Sequence, residues 1–147
     1  MTFEQHVADV DFIVMGRKTF DIVMAFAEWP YPERELLVLS TTTQELPRDA
    51  PRCSRVVGSL DEVGRILDEE GAKMVYVDGG HAVREFLRRG WVDEMVLAIA
   101  PVLLAGGGRS LFGDVGLDLP ADMHFALLGV DVIEDGMVSC YYRVAKG

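Results

Sequence analysis

Two short segments, Gly16-Arg17-Lys18-Thr19 and Asp78-Gly79-Gly80, each lie where an apolar run gives way to helical spacing, and both are suited to holding an anion. In the first, two cations, a hydroxyl and the backbone N–H groups of a helix start share one small volume. The first turn of a helix has unpaired N–H groups and about half a positive charge, so it can hold a phosphate without a Walker loop. A solvated basic turn with Thr19 as an ordinary N-cap accounts for the tetrapeptide equally well. In the second segment the glycines let a ligand's phosphates approach the backbone closely, although an isolated Gly pair more often only makes a tight turn with positive φ. Two such turns at the carboxyl ends of strands in one parallel sheet favour a dinucleotide. GGHAVR is not a GxGxxG fingerprint, which disfavours an ordinary Rossmann domain.

The elements that must position these turns follow from the hydrophobic pattern. Asp11 to Met15 reads as a buried strand ending at Gly16, and Phe20, Val23, Met24 and Ala27 give helical spacing over 20–28, stopped by Trp29-Pro30-Tyr31-Pro32. Glu35 to Ser40 is a second buried strand and Arg55 to Val57 a third. Ser59 with Glu62 makes a capping-box pattern ahead of a helix whose apolar face is Leu60, Val63, Ile66 and Leu67, ending near Gly71. Lys73 to Val77 is a strand that runs into the double glycine and a helix over 81–89, with Val83, Phe86 and Leu87 inward and Gly90 at its end. Trp91 to Leu104 reads as one long strand breaking at Gly106-Gly107-Gly108. His124 to Ile133 and Met137 to Val144 flank Glu134-Asp135-Gly136, a strong hairpin signal. The expected fold class is α/β, a mixed and mostly parallel sheet closed by a C-terminal antiparallel hairpin.

Composition narrows the partners. Half of the 147 residues are hydrophobic, enough for one core, and a single domain over 1–147 is expected. Fourteen Lys plus Arg against 24 Asp plus Glu give a formal charge of −10, which disfavours nucleic acid and anionic membrane surfaces, so any anion site must be local. Cys53 and Cys140 form no CxxC pair and have no His at ligand spacing, so no metal site is read and a reducing cytoplasm is expected. The longest apolar stretch, Met95 to Ala105, is interrupted by Pro101 and falls short of the ~17–25 residues that span a bilayer. The N-terminus shows no signal-peptide pattern.

The ordered motifs resemble a known superfamily. IVMGRKTFD is similar to the GRKTW/GRKTY-type segment of dihydrofolate reductases and of the riboflavin-biosynthesis reductase domain. LLVLS, VYVDGGHAVREFL, WVDEMVLAIAPVLLAGGGRSLF and MVSCYYRV follow in family order, covering 12–144 and resembling the riboflavin-reductase branch (RibD C-terminal domain-like) more than folate reductases proper. The resemblance implies a three-layer dihydrofolate-reductase-like fold, an NADPH cofactor and a homodimer. It implies that Gly16, Arg17, Lys18 and Thr19 meet the cofactor's phosphates, that Gly79, Gly80, His81, Ala82 and Val83 line its pyrophosphate, and that Ser40 and Thr41 lie beside the adenosine ribose. Relatives that prefer NADPH often have a basic residue after that strand; Thr41-Thr42 stands here, so the preference rests on Arg17 and Lys18. The family's opening strand and substrate loop have no counterpart in this sequence, and since that strand lies inside the family's sheet, open edges are expected on its neighbours.

No catalytic residue is assigned from the sequence. Asp21, Glu28 and Asp114 qualify only as carboxylates, and Asp21 in a first helical turn reads better as a residue stabilising the helix dipole. His6 and His124 read as structural or solvated, Trp29 as a packing lid on the first long helix. The implied function is reduction of a small heterocyclic substrate, pterin-like or ribosylaminopyrimidine-like; the alternative is a non-catalytic nucleotide-binding or dimerisation domain.

Overall fold

A computed structural model describes residues 3–42, 45–113 and 116–145, in two compact units, 1–85 and 86–147. In the first unit, α1 (Phe3–Val7) leads to β1 (Phe12–Gly16), α2 (Arg17–Met24), β2 (Glu35–Leu39), β3 (Ser54–Val57), α3 (Leu60–Glu69) and β4 (Val75–Asp78); α4 (Gly80–Arg88) runs across the division. The strands form one parallel sheet in the order β3-β2-β1-β4. Continuous apolar runs suit this setting, since a parallel strand is covered on both faces. All of β1 is buried, as is β2 beyond Glu35.

Side-chain alternation divides the core. Ile13, Met15, Leu36 and Val38 turn to one face and pack with Val7, Val10, Phe20, Val23 and Tyr31. Val14, Leu37 and Leu39 turn to the other and are equally buried. The connection β1-α2-β2 steps along the sheet in one direction, whereas β3-α3-β4 returns in the other, so right-handed crossovers place α2 and α3 on opposite faces. The result is helix, sheet, helix, the expected three-layer class.

Local signals explain most boundaries. Ser59 caps α3 by accepting from the Glu62 N–H at 3.2 Å, and the Glu62 carboxylate reaches back to the Gly58 N–H at 3.3 Å, one residue earlier than in the usual box. The start of α2 differs from expectation. Gly16 is the N-cap, and Thr19 lies inside the helix instead of capping it. Gly16 is extended, at φ −71° and ψ 160°, so the helical turn can begin directly at Arg17. The helix also ends at Met24, short of Glu28, its last turn tightened by N–H bonds from Ala25 to Ile22 and from Phe26 to Val23.

Asp11 ties the lower ends of two strands together. Its carboxylate accepts from the backbone N–H groups of Lys73 and Met74, both at 2.8 Å. Burial pulls this carboxyl upward, but bonds from the N–H groups of Lys73, Met74, Asp11 and Phe12 outweigh it and hold it below the usual carboxylate range. A lowered folded value means stability that is present above about pH 4 and lost as pH falls through that value. Asp11→Ala should cost about 1 kcal/mol at neutral pH, and the gap from the parent should close in acid. Urea unfolding at pH 7 and pH 3 measures both; a gap unchanged at pH 3 would refute the assignment.

The second unit is an antiparallel sheet in the order β5-β7-β6, built from β5 (Glu94–Ile99), β6 (Phe125–Val132) and β7 (Val138–Val144). A 3-10 turn at Glu134–Gly136 joins the last two, with Asp135 at φ 62° and Gly136 at φ 76°, the hairpin read from Asp-Gly. Arg143 bonds Glu94 across the β5–β7 pair at 2.7 Å. β5 stops at Ile99 instead of continuing to Leu104, because Pro101 lacks the N–H a ladder needs; Val102, Leu103 and Leu104 are exposed and outside any strand. The parallel and antiparallel parts are thus two sheets instead of one mixed sheet. Among the described residues β3 and β4 are the edges of the parallel sheet, and β5 and β6 those of the antiparallel one.

Candidate functional site

Register fixes which turns are neighbours. Gly16 pairs with Leu39, and Met15 with Asp78, so the carboxyl ends of β2, β1 and β4 lie side by side. The turns that follow them, Ser40-Thr41, Gly16 to Thr19 and Gly79 to Val83, therefore share one sheet edge. The direction of chain travel reverses between β1 and β4, the switch point at which open α/β sheets leave a crevice for a ligand.

At this edge Thr19 closely approaches Gly79. Gly79 has φ +93°, and a Cβ placed there would lie 2.2 Å from the Thr19 hydroxyl oxygen and 3.0 Å from its Cβ. Glycine is required here on two counts, conformation and space. The separate hints of the GRKT and DGG segments thus meet at one point.

The individual groups are unequally placed. Lys18 is exposed, Thr19 half-buried and Gly16 buried. Arg17 lies over the Phe20 ring at 5.7 Å; its Nε donates to Asp21 at 3.0 Å and its Nη1 to the Glu45 carbonyl at 2.7 Å. Asp21 is therefore the ion-pair partner of Arg17 one turn on, and does not sit in the first turn, which begins earlier than the sequence suggested. Ser40 is buried with its N–H bonded to Val57, and Thr41 is exposed. In the second turn, Val83 donates its N–H to Gly79 at 2.9 Å, and the Gly79 N–H is taken by Asp78 at 2.8 Å. That leaves the N–H groups of Gly80, His81 and Ala82 directed off the end of α4. The Ala82 side chain is buried, so only its backbone can serve a ligand, while the His81 side chain is exposed.

Asp78 and Tyr31 are the residues that sequence reasoning did not single out. The Tyr31 hydroxyl donates to the second Asp78 oxygen. Burial, reinforced by Asp78, pushes the Tyr31 hydroxyl far above its ordinary range, and burial beside Asp78 does the same to Tyr76. Both stay protonated at any physiological pH. The available signal was an acidic residue at the end of an apolar strand, immediately before two glycines. Tyr31 could not be paired with it from a separation of 47 positions.

A cavity of about 520 Å³ lies toward the amino ends of β2 and β3, with Ile13, Val23, Trp29, Tyr31, Leu36 and Cys53 in its wall. Trp29 packs on Phe20 with ring centroids 6.2 Å apart, the lid role expected of it. Among the described residues no His, Cys, Asp or Glu group could hold a metal ion. Asp114, one of the carboxylates weighed above, lies outside the described residues, and Glu28 is exposed.

A family model described as the RibD C-terminal domain matches residues 2–139. The chain belongs to the RibD C-terminal domain family. Its fold is similar to that of the "Putative riboflavin biosynthesis protein" of Shewanella sp. PV-4, with a TM-score of 0.78, 31% identity, and coverage of 98% of this chain and 79% of that one. Among curated proteins it is 27% identical to the uncharacterized protein YyaP of Bacillus subtilis, over 97% of this chain and 79% of YyaP. It is 37% identical over 78 residues to the dihydrofolate reductase HdrB of Haloferax volcanii, covering 52% of this chain and 40% of HdrB. The family is thus the reductase-like one that the motif series resembles. Among the described residues no helix is long and apolar enough to cross a membrane.

Proposed function

We propose that this protein is an NADPH-dependent reductase of a small heterocyclic substrate, pterin-like or ribosylaminopyrimidine-like. The observation that carries the reading is the convergence of three turns on one sheet edge, with Gly79 so close to Thr19 that any side chain there would fill the space. Membership of the RibD C-terminal domain family and similarity to a named dihydrofolate reductase support a reductase-type role.

The residues present fit a dinucleotide. Bound NADPH would supply a hydride from its nicotinamide ring. The first-turn N–H groups of α2 and α4 would hold the phosphates, with Arg17, Lys18 and the Thr19 hydroxyl adding charge and a further hydrogen bond. Ser40 and Thr41 would lie beside the ribose. Trp29 and Tyr31 stand in the cavity wall, and aromatic side chains are of the kind that suits a planar heterocycle. What the protein contributes is position and electrostatics, which for hydride transfer is its main task.

The same reading places the protein in the cytoplasm as a homodimer. Exposed Leu127, Leu128, Val130 and Val132 on β6 support the dimer, since apolar surface of this kind marks interaction sites. Light scattering checks it directly.

Calorimetric titration of NADPH and NADH tests the cofactor. Saturable NADPH binding is expected, weakened about tenfold by Arg17→Ala through loss of a charge-assisted contact. Folded protein that binds neither nucleotide would leave a non-catalytic dimerisation domain as the better account.

A further inference from the structure

We propose that Asp78 is the positioning residue of the dinucleotide turn, held in place by the Tyr31 hydroxyl and in turn holding the Gly79 N–H. The proposal rests on the cofactor reading above and adds to it the group that sets the turn's shape.

Asp78 closes β4, and its two oxygens have different partners: one accepts from Gly79 at 2.8 Å, the other from Tyr31. With the Gly79 carbonyl accepting from Val83 at 2.9 Å, both backbone groups of Gly79 are committed, which fixes the residue at φ +93°. The helix then starts at Gly80, and the next three N–H groups are left facing outward as donors. A carboxylate beside a phosphate site would ordinarily repel the ligand. Here both oxygens already accept hydrogen bonds, one from the Tyr31 hydroxyl and one from the Gly79 N–H, so the carboxylate is directed at partners within the protein. Tyr31 also belongs to the cavity wall and packs beside Tyr76 at 6.0 Å, so one residue joins the cavity to the turn.

Three variants and two readouts test this. Asp78→Ala removes both bonds, Tyr31→Phe removes one while leaving the ring, and Asp78→Asn retains an acceptor for Gly79 as the conservative rescue. In the ligand-free protein, amide exchange at Gly79 should accelerate about tenfold in Asp78→Ala and less in Tyr31→Phe, with Asp78→Asn near the parent. The NADPH Kd should rise about tenfold in Asp78→Ala and severalfold in Tyr31→Phe, with thermal midpoints showing Tyr31→Phe and Asp78→Asn folded. Gly79 exchange unchanged in Tyr31→Phe overturns the clamp. A parent that binds NADPH and a Tyr31→Phe variant that binds it equally well overturns the positioning role. A parent that fails to bind NADPH overturns the cofactor reading and, with it, the role assigned to Asp78 there, while exchange still decides whether the clamp exists.

Discussion

Gly79→Ala is expected to abolish NADPH binding within the concentration range of a calorimetric titration and to destabilise the fold by about 2–6 kcal/mol. Two costs combine. The backbone at φ +93° is one that a residue with a Cβ rarely adopts, at about 1–3 kcal/mol. The new methyl would also lie 2.2 Å from the Thr19 hydroxyl oxygen, and overpacking of this sort costs about 1–3 kcal/mol. Rotating the Thr19 side chain relieves only part of this, because the Thr19 Cβ is itself 3.0 Å from the added atom. The strand end or the helix start must shift, and both belong to the site. Against a typical domain stability of about 5–15 kcal/mol this loss is large but survivable, so a folded variant is available for titration.

The double variant Thr19→Ala with Gly79→Ala separates the two costs. Removing the hydroxyl and one methyl relieves part of the steric clash and leaves the conformational penalty. The stability loss of the pair should therefore be smaller than the sum of the single losses by about 1 kcal/mol or more, the sign of a direct contact. Strict additivity in urea unfolding would mean that the two residues do not meet, and the convergence of turns would lose its central observation.

The sequence placed both turns at the carboxyl ends of strands in one parallel sheet, but not the direct contact of Thr19 with Gly79. Gly16 and the double glycine stood out because a glycine that ends an apolar run marks a turn, and the strands between them were readable because parallel strands are apolar on both faces. Adjacency is different in kind. That β4 lies beside β1, with two strands and two helices between them in the chain, depends on crossover direction, which leaves no local mark. The misplaced start of α2 has a related cause. Thr19 is a good N-cap by type, but the parallel ladder carries β1 through Gly16 and the helix follows without a spacer, so the hydroxyl is released from capping and turned toward Gly79. β5 was overextended because hydrophobicity continues past Ile99, while the ladder obeys Pro101. Asp78 and Tyr31 could not be joined, since a side-chain hydrogen bond between residues 47 positions apart carries no periodicity to detect.

Phe20→Ala should show that the start of α2 is supported from beneath as well as shaped from beside. Phe20 is the fourth residue of α2, with none of its surface exposed, and it is among the largest fully buried side chains. Truncation to alanine in such a place removes packing and leaves a void, at a cost of about 3–5 kcal/mol. The void would open under the first turn of α2, between Met15 and Val38 of the sheet and the Trp29 ring. The Phe20 ring also underlies the Arg17 guanidinium at 5.7 Å, so its loss removes a platform worth about 0.5–1 kcal/mol at an exposed site. Phe20→Leu divides these effects. Leucine fills most of the volume and should cost less than half as much stability as alanine, yet it offers Arg17 no ring face. NADPH affinity in Phe20→Leu is therefore expected to fall by a factor of about two to five while the urea midpoint moves little. Equal affinity in Phe20→Leu and the parent would confine Phe20 to packing. An alanine variant that loses less than about 1 kcal/mol would contradict the buried position itself.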